Sequence, residues 1–245
     1  MLYNQLKIKN PTVFDNVNKD SILNKFLANQ ALGEILIASA GIPRDFLSLF
    51  IHSYRNFISR KNNSYKHITL SDVRSATVSW YEADKQRAVE TNGNAKIFLD
   101  KLIHEIIIDK KRCHFLIPEV YETHKSLNDL IDYRVLHLRK KGISHKGNPG
   151  VKYNVYFIDY ACYTSASIYH NKINKNLLNE INTTDNLREI RRVSLSDTFF
   201  NAFNAETGNA VKCPHVECGK LIDIQHPLYT KQAICYHCFE KCTSE

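Results

Sequence analysis

The sequence is poor in glycine, with eight in 245 residues, and it holds one methionine and one tryptophan. No G-x-x-x-x-G-K-[ST] occurs anywhere. That absence removes the backbone cradle, the phosphate-binding lysine and the magnesium-holding hydroxyl that a self-sufficient P-loop nucleotide hydrolase requires. Long hydrophobic runs are missing too: the densest apolar stretch, Ala31 to Ala40, is too short to span a bilayer and carries Glu34, and the first ten residues hold no apolar signal core. Seven cysteines is an odd number, which with the missing signal core favours a reducing cytoplasm. His52, His67, His104, His114, His124, His137 and His145 are scattered without an H-x-x-x-H pair, and nothing near Cys113 or Cys162 marks either as a nucleophile with its base. No catalytic constellation is expected.

What the chain does have is a C-terminal set of four cysteines, Cys213, Cys218, Cys235 and Cys238, spaced C-x4-C-x16-C-x2-C. A Cys-x2-Cys turn presents both thiolates to one ion about 2.3 Å away, and two such turns joined by a short hairpin supply the four ligands of a structural zinc ion. The expectation is a small zinc ribbon, with Pro214 and Gly219 in a tight knuckle and Leu221, Ile222, Ile224, Leu228 and Tyr229 forming short strands between the knuckles. The first loop is longer than the commonest spacing. It leaves His215 as an alternative ligand, with His237 and Cys242 as further candidates. Catalytic zinc would need an open position and a neighbouring base; Glu217 lies inside the first knuckle, but two cysteine knuckles close the coordination sphere.

Acids are outnumbered, 25 Asp and Glu against 33 Lys and Arg, a formal net charge of +8. Arg139 to Lys152 (RKKGISHKGNPGVK) holds Arg139, Lys140, Lys141, Lys146 and Lys152 with no acid, which makes a directed basic patch in a glycine-rich loop. Around it the patterns read as helices and a hairpin. A helix is expected from about Lys19 to Ala28, opening near Asp20 or Ser21, and Gly41 then ends an apolar stretch before Pro43 starts a helix carrying Phe46, Leu47, Phe50, Ile51 and Tyr54. Thr69-x-x-Asp72 is a capping box for the next helix. Phe98, Leu99, Leu102, Ile103, Ile106 and Ile107 make a strongly amphipathic helix. Val120 to Ile131 looks helical, and alternating runs at Tyr133 to Leu138 and Tyr153 to Tyr160 flank the basic loop. A further helix is plausible around Asn174 to Ile190. Helix, helix, then a hairpin with a basic tip is the order of a winged helix-turn-helix.

Ala40-Gly41-Ile42-Pro43-Arg44-Asp45-Phe46-Leu47, followed by Ile68-Thr69-Leu70-Ser71-Asp72-Val73-Arg74-Ser75-Ala76 and the hairpin pattern, resembles the C-terminal half of initiator-type ATPases related to the origin-recognition complex, within the AAA+ and STAND group. The resemblance covers about Asp20 to Tyr163. It implies a helical lid-like domain over 1–93 and a winged helix over 94–165; with a helical linker over 166–210 and the zinc ribbon over 211–245 read from the residues themselves, the expected fold is mostly α with small β. Arg44 matches the family's sensor 2 arginine, which reaches the nucleotide's terminal phosphates; without a P-loop it could serve only a separate core subunit. The family's winged helix binds double-stranded DNA. Here the helix carrying His124, Lys125 and Asn128 would face the groove, and Arg139, Lys140, Lys141, Lys146 and Lys152 would meet phosphates. The alternative is an interaction protein, or a fragment, docking on a separate P-loop ATPase in a bacterial defence or replication complex.

Overall fold

The computed structural model describes residues 8–9, 11–14, 18, 22–60, 66–145, 147–164, 193–224 and 226–242. The helix expected over Asn174 to Ile190, the cap at Asp20 or Ser21, and Lys146 lie outside them. The fold is mostly helical with a small antiparallel sheet. Two compact units divide the chain, Met1–Gln86 with Asp159–Ile173, and Arg87–Ile158 with Asn174–Glu245. The first unit is therefore discontinuous, since the chain returns to it after a hairpin.

The first unit packs α1 (Ile22–Phe26), α2 (Asn29–Ala38), α3 (Pro43–Ile58) and α4 (Leu70–Trp80), with α4 running on into a π-helical segment at Tyr81–Gln86. The helix expected to reach Ala28 stops earlier, because Leu27 leaves it to bridge Ile68 in parallel. Ala40 and Gly41 both have positive φ, 52° and 76°, and turn the chain out of α2. Pro43 then opens α3, where its missing N–H has no partner to lose. The capping box of α4 is formed: the Thr69 N–H donates to Asp72 Oδ2 at 2.8 Å. Ala31, Ile35, Leu49, Ile68, Val73, Ala76 and Tyr160 form the buried interior.

In the second unit α5 (Gly93–Leu102), capped by Asn92 accepting from the Ala95 N–H at 3.1 Å, continues as a π-helical segment at Ile103–Asp109. β1 (His114–Pro118) follows, then a 3-10 turn at Glu119–Tyr121, α6 (Lys125–Asp132), β2 (Leu136–His145) and β3 (Asn148–Ile158). The three strands form an antiparallel sheet in the order β1-β3-β2, with His114 opposite Phe157 and Leu136 opposite Ile158. The continuous helix expected over Val120 to Ile131 is interrupted before Lys125, because the His124 N–H closes the preceding turn on Tyr121 O at 2.9 Å.

The basic segment expected as a loop is mostly paired strand. Ile143 lies opposite Tyr153 and Ser144 opposite Lys152, so the ladder extends through it. Its irregularity is absorbed by register shifts around Gly142, which has φ 69° and donates its N–H to Asn154 Oδ1 at 3.2 Å. Burying Ile143 and Tyr153 favours this pairing over an open loop.

α7 (Asp197–Glu206) packs on α5 through rings: Phe98 meets Phe199, Phe200 and Phe203 with centroids 5.0–6.0 Å away. β4 (Ala210–Lys212) and β5 (Leu221–Asp223) form a second antiparallel pair, and α8 (Pro227–Gln232) follows. Leu228 and Tyr229, expected in a strand, are thus helical. Pro227 sits in the first turn, and His226 Nδ1 accepts from the Leu228 N–H at 3.3 Å, which together start a helix there.

Candidate functional site

The two cysteine pairs sit in two backbone knuckles. In the first, the Cys213 N–H donates to Lys220 O at 2.8 Å, closing the base, while the Cys218 and Gly219 N–H groups fold back on His215 O at 3.0 and 2.9 Å. In the second, the Cys235 N–H donates to Glu240 O at 2.9 Å and the Phe239 N–H to Cys235 O at 2.7 Å, with Ile234 and Lys241 bridged beneath. β4, β5 and α8 bring the knuckles together. The ligand sulfurs of Cys213, Cys218, Cys235 and Cys238 all lie within 4.8 Å of one another, and the Cys213–Cys238 and Cys218–Cys235 pairs are each 3.8 Å apart.

A tetrahedron with metal–sulfur bonds of about 2.3 Å has sulfur–sulfur edges of about 3.8 Å, so the cage fits one metal ion. Among the described residues these four are the one group of three or more His, Cys, Asp or Glu side chains close enough to share an ion. The two alternative histidines are engaged elsewhere: His215 Nε2 is 2.9 Å from Lys241 O, and His237 Nε2 is 3.2 Å from Leu221 O. Burial works to raise the Cys235 thiol, but the Cys238 and His237 N–H groups aimed at its sulfur outweigh it and bring it down to about 7. For Cys238 the Glu240 N–H pulls downward, but burial and the neighbouring thiols win and push it up to about 12. One thiolate is easily formed, and each further one is opposed by its neighbours until a cation shares them.

No family model, curated protein or solved structure matches the chain. Its chemistry rests on its own residues.

The residues expected to touch DNA are split by the fold. Lys125, Asn128, Arg139, Lys140, Lys141 and Lys152 are exposed, on α6 and the hairpin. Lys141 pairs with Glu122, and Asn128 Nδ2 donates to Glu122 O at 3.1 Å, so one acidic turn anchors both. The Arg139 guanidinium lies over the Phe157 ring, 4.4 Å from its centroid. His124 corrects the expectation of a groove-facing side chain. It is 7% exposed, stacked on Phe98 at 5.2 Å and edged by Phe200 and Phe203, and burial lowers its pKa. The aromatic cluster of α5 and α7 claims the ring, which the local sequence around His124 does not announce.

Arg44 is exposed at the start of α3 and pairs with Asp84 at 2.9 Å. Beside it, Asp45 takes Lys85 at 3.3 Å, and Lys85 also reaches Asp159 at 2.6 Å. Sequence reasoning missed this buried cluster. Desolvation opposes the charge on Lys85, but the Asp159 and Asp45 carboxylates outweigh it and raise its pKa. A second, partly buried cluster joins Glu34 to Arg74 Nε at 2.5 Å and to the Tyr160 hydroxyl at 2.5 Å. The faint signal was the charge in otherwise apolar helical stretches, Glu34 above all, which only a partner makes tolerable.

Proposed function

We propose that the chain is a non-catalytic module that binds double-stranded DNA through its basic hairpin, with a structural zinc ion held by Cys213, Cys218, Cys235 and Cys238. The observation that carries the DNA reading is the hairpin β2–β3: an antiparallel ribbon that exposes Arg139, Lys140, Lys141 and Lys152 and directly follows the short helix α6. The order helix, strand, helix, hairpin and the strand arrangement β1-β3-β2 agree with a winged helix-turn-helix. Phosphate contacts from these cations would supply most of the affinity, and Lys125 and Asn128 on α6 would lie nearest the bases. All-thiolate ligation in a closed tetrahedron favours zinc in a structural role over a catalytic one.

The direct test is the salt dependence of duplex binding. Replacing Lys140, Lys141 and Lys146 with alanine is expected to weaken binding to all duplex sequences alike and to flatten log affinity against log salt by about three units. Unchanged affinity and slope would remove the hairpin from the interface.

A second reading has its own observation. Ile51, Tyr54 and Ile58 leave an exposed apolar stripe along α3, and a lid-like unit docking on a separate P-loop ATPase would cover such a stripe. Arg44, on the same helix, would then answer to the partner's nucleotide after leaving Asp84. Binding that survives high salt would favour this reading.

A further inference from the structure

Each knuckle of the ribbon holds one large apolar side chain out in solvent. Val216, in the turn between Cys213 and Cys218, is 98% exposed, and Phe239, which follows Cys238, is 72% exposed. The two knuckles meet close to both, since His215 Nε2 lies 2.9 Å from Lys241 O. The Phe239 backbone is pinned at φ 61° by its own N–H, 2.7 Å from Cys235 O, and Phe239 is the one aromatic among the described non-glycine residues with positive φ. A bulky ring is strained in that backbone and, exposed as it is, recovers little by burial. Strain of this kind clusters where ligands are gripped.

We propose that Phe239 is a stacking platform for an unpaired base of single-stranded DNA, which makes the ribbon a second nucleic-acid site in addition to the hairpin. The inference takes its polymer class from the DNA reading and the rigidity of the knuckle from the metal reading. Size favours a base over a protein. A stable protein interface buries about 800 Å² on each partner, and beyond Val216 and Phe239 the ribbon's exposed large apolar side chains are Val211 and Leu221, each only 37% exposed. One open ring face, by contrast, is enough for one base. Charge favours a nucleic acid as well: Lys212, Lys220, Lys231 and Lys241 are all exposed, against the exposed acids Glu217 and Glu240, and the excess suits the phosphates on either side of a stacked base. Every base has a π face, but pairing and stacking in a duplex keep those faces covered, so the platform selects single strands and tolerates any sequence.

The experiment uses the full chain, whose zinc content is measured first, and titrates it by fluorescence anisotropy into a labelled oligothymidine and, in parallel, a labelled duplex of the same length. Phe239→Gly is expected to keep its metal and its fold, to weaken oligothymidine binding about tenfold at every salt concentration, and to leave duplex affinity unchanged. Phe239→Trp is expected to bind oligothymidine at least as tightly as the parent. Its tryptophan fluorescence should be quenched by the oligonucleotide, while that of the parent, which comes from Trp80 alone, should not. Parental affinity in Phe239→Gly, an equal loss in Phe239→Trp, or a parent that does not bind oligothymidine overturns the proposal. A parent that binds oligothymidine but no duplex defeats the hairpin reading alone, and the two Phe239 variants still decide the platform.

Discussion

Gly219 and Phe239 occupy the same place in the two knuckles. Each follows the second cysteine of its pair, each has a positive φ, 52° and 61°, and each donates its N–H to the carbonyl four residues back, His215 and Cys235. Glycine takes this backbone freely, whereas a bulky side chain is strained there by about 1–2 kcal/mol. Phe239 is also 72% exposed, so its ring recovers little by burial.

Phe239→Gly is accordingly expected to leave the fold intact and to stabilise the ribbon, by up to about 1 kcal/mol. Gly219→Ala should cost about 1 kcal/mol from φ alone, since a Cβ there meets nothing closer than 3.7 Å. Denaturant unfolding of both variants checks the pair. A destabilised Phe239→Gly would mean that the ring makes a contact outweighing the strain.

One zinc per chain is expected in protein purified under reducing conditions. The Cys235→Ser, Cys238→Ser double variant should lose it and with it the order of the ribbon, because β4 and β5 are three residues each and bury little besides Ile222. Elemental analysis is the measurement. Less than about half an equivalent in the parent, or an unchanged content in the double variant, counts against zinc.

Lys85→Met should destabilise the first unit by about 3 kcal/mol or more, since it takes from the buried Asp45 and Asp159 carboxylates the cation they share. Asp159→Asn in the same background should recover part of the loss by removing one of the two charges. Chemical denaturation of the single and double variants gives the coupling directly. Additive effects would rule out the cluster as a unit.

His114 is 1% exposed, and neither of its ring nitrogens has a hydrogen-bond partner among the described residues. Burial, with the charge of Arg139 adding to it, lowers its pKa from 6.5 to about 4. The unfolded chain therefore binds the proton first as pH falls. Its contribution to stability is intact above about pH 6.5, declines between 6.5 and 4, and levels off below, for a total loss of about 3 kcal/mol. His114→Phe should flatten this part of the profile, measured as unfolding free energy against pH.

Arg44→Ala should leave the fold nearly unchanged, because its pair with Asp84 is solvent-exposed on the arginine side, 64% by side chain. The isolated chain is expected to hydrolyse no ATP. If a candidate core subunit restores hydrolysis and Arg44→Ala does not slow it, the sensor role is excluded.

The features legible from sequence are those whose chemistry is completed within a few residues. The cysteine spacing, the Thr69–Asp72 capping box and the Gly41–Pro43 helix junction each carry their meaning in near neighbours, because knuckles, caps and turns are local hydrogen-bonding problems. What only the tertiary structure decided involves partners far apart in the chain. Lys85 meets Asp159 across 74 positions, and the Tyr160 hydroxyl meets Glu34 across 126. His124 turns inward because Phe200 and Phe203, on a distant helix, complete its aromatic surroundings. The basic segment became strand because Ile143 found Tyr153 across the ladder. Burial and charge pairing depend on which surfaces meet, and local periodicity carries no record of that.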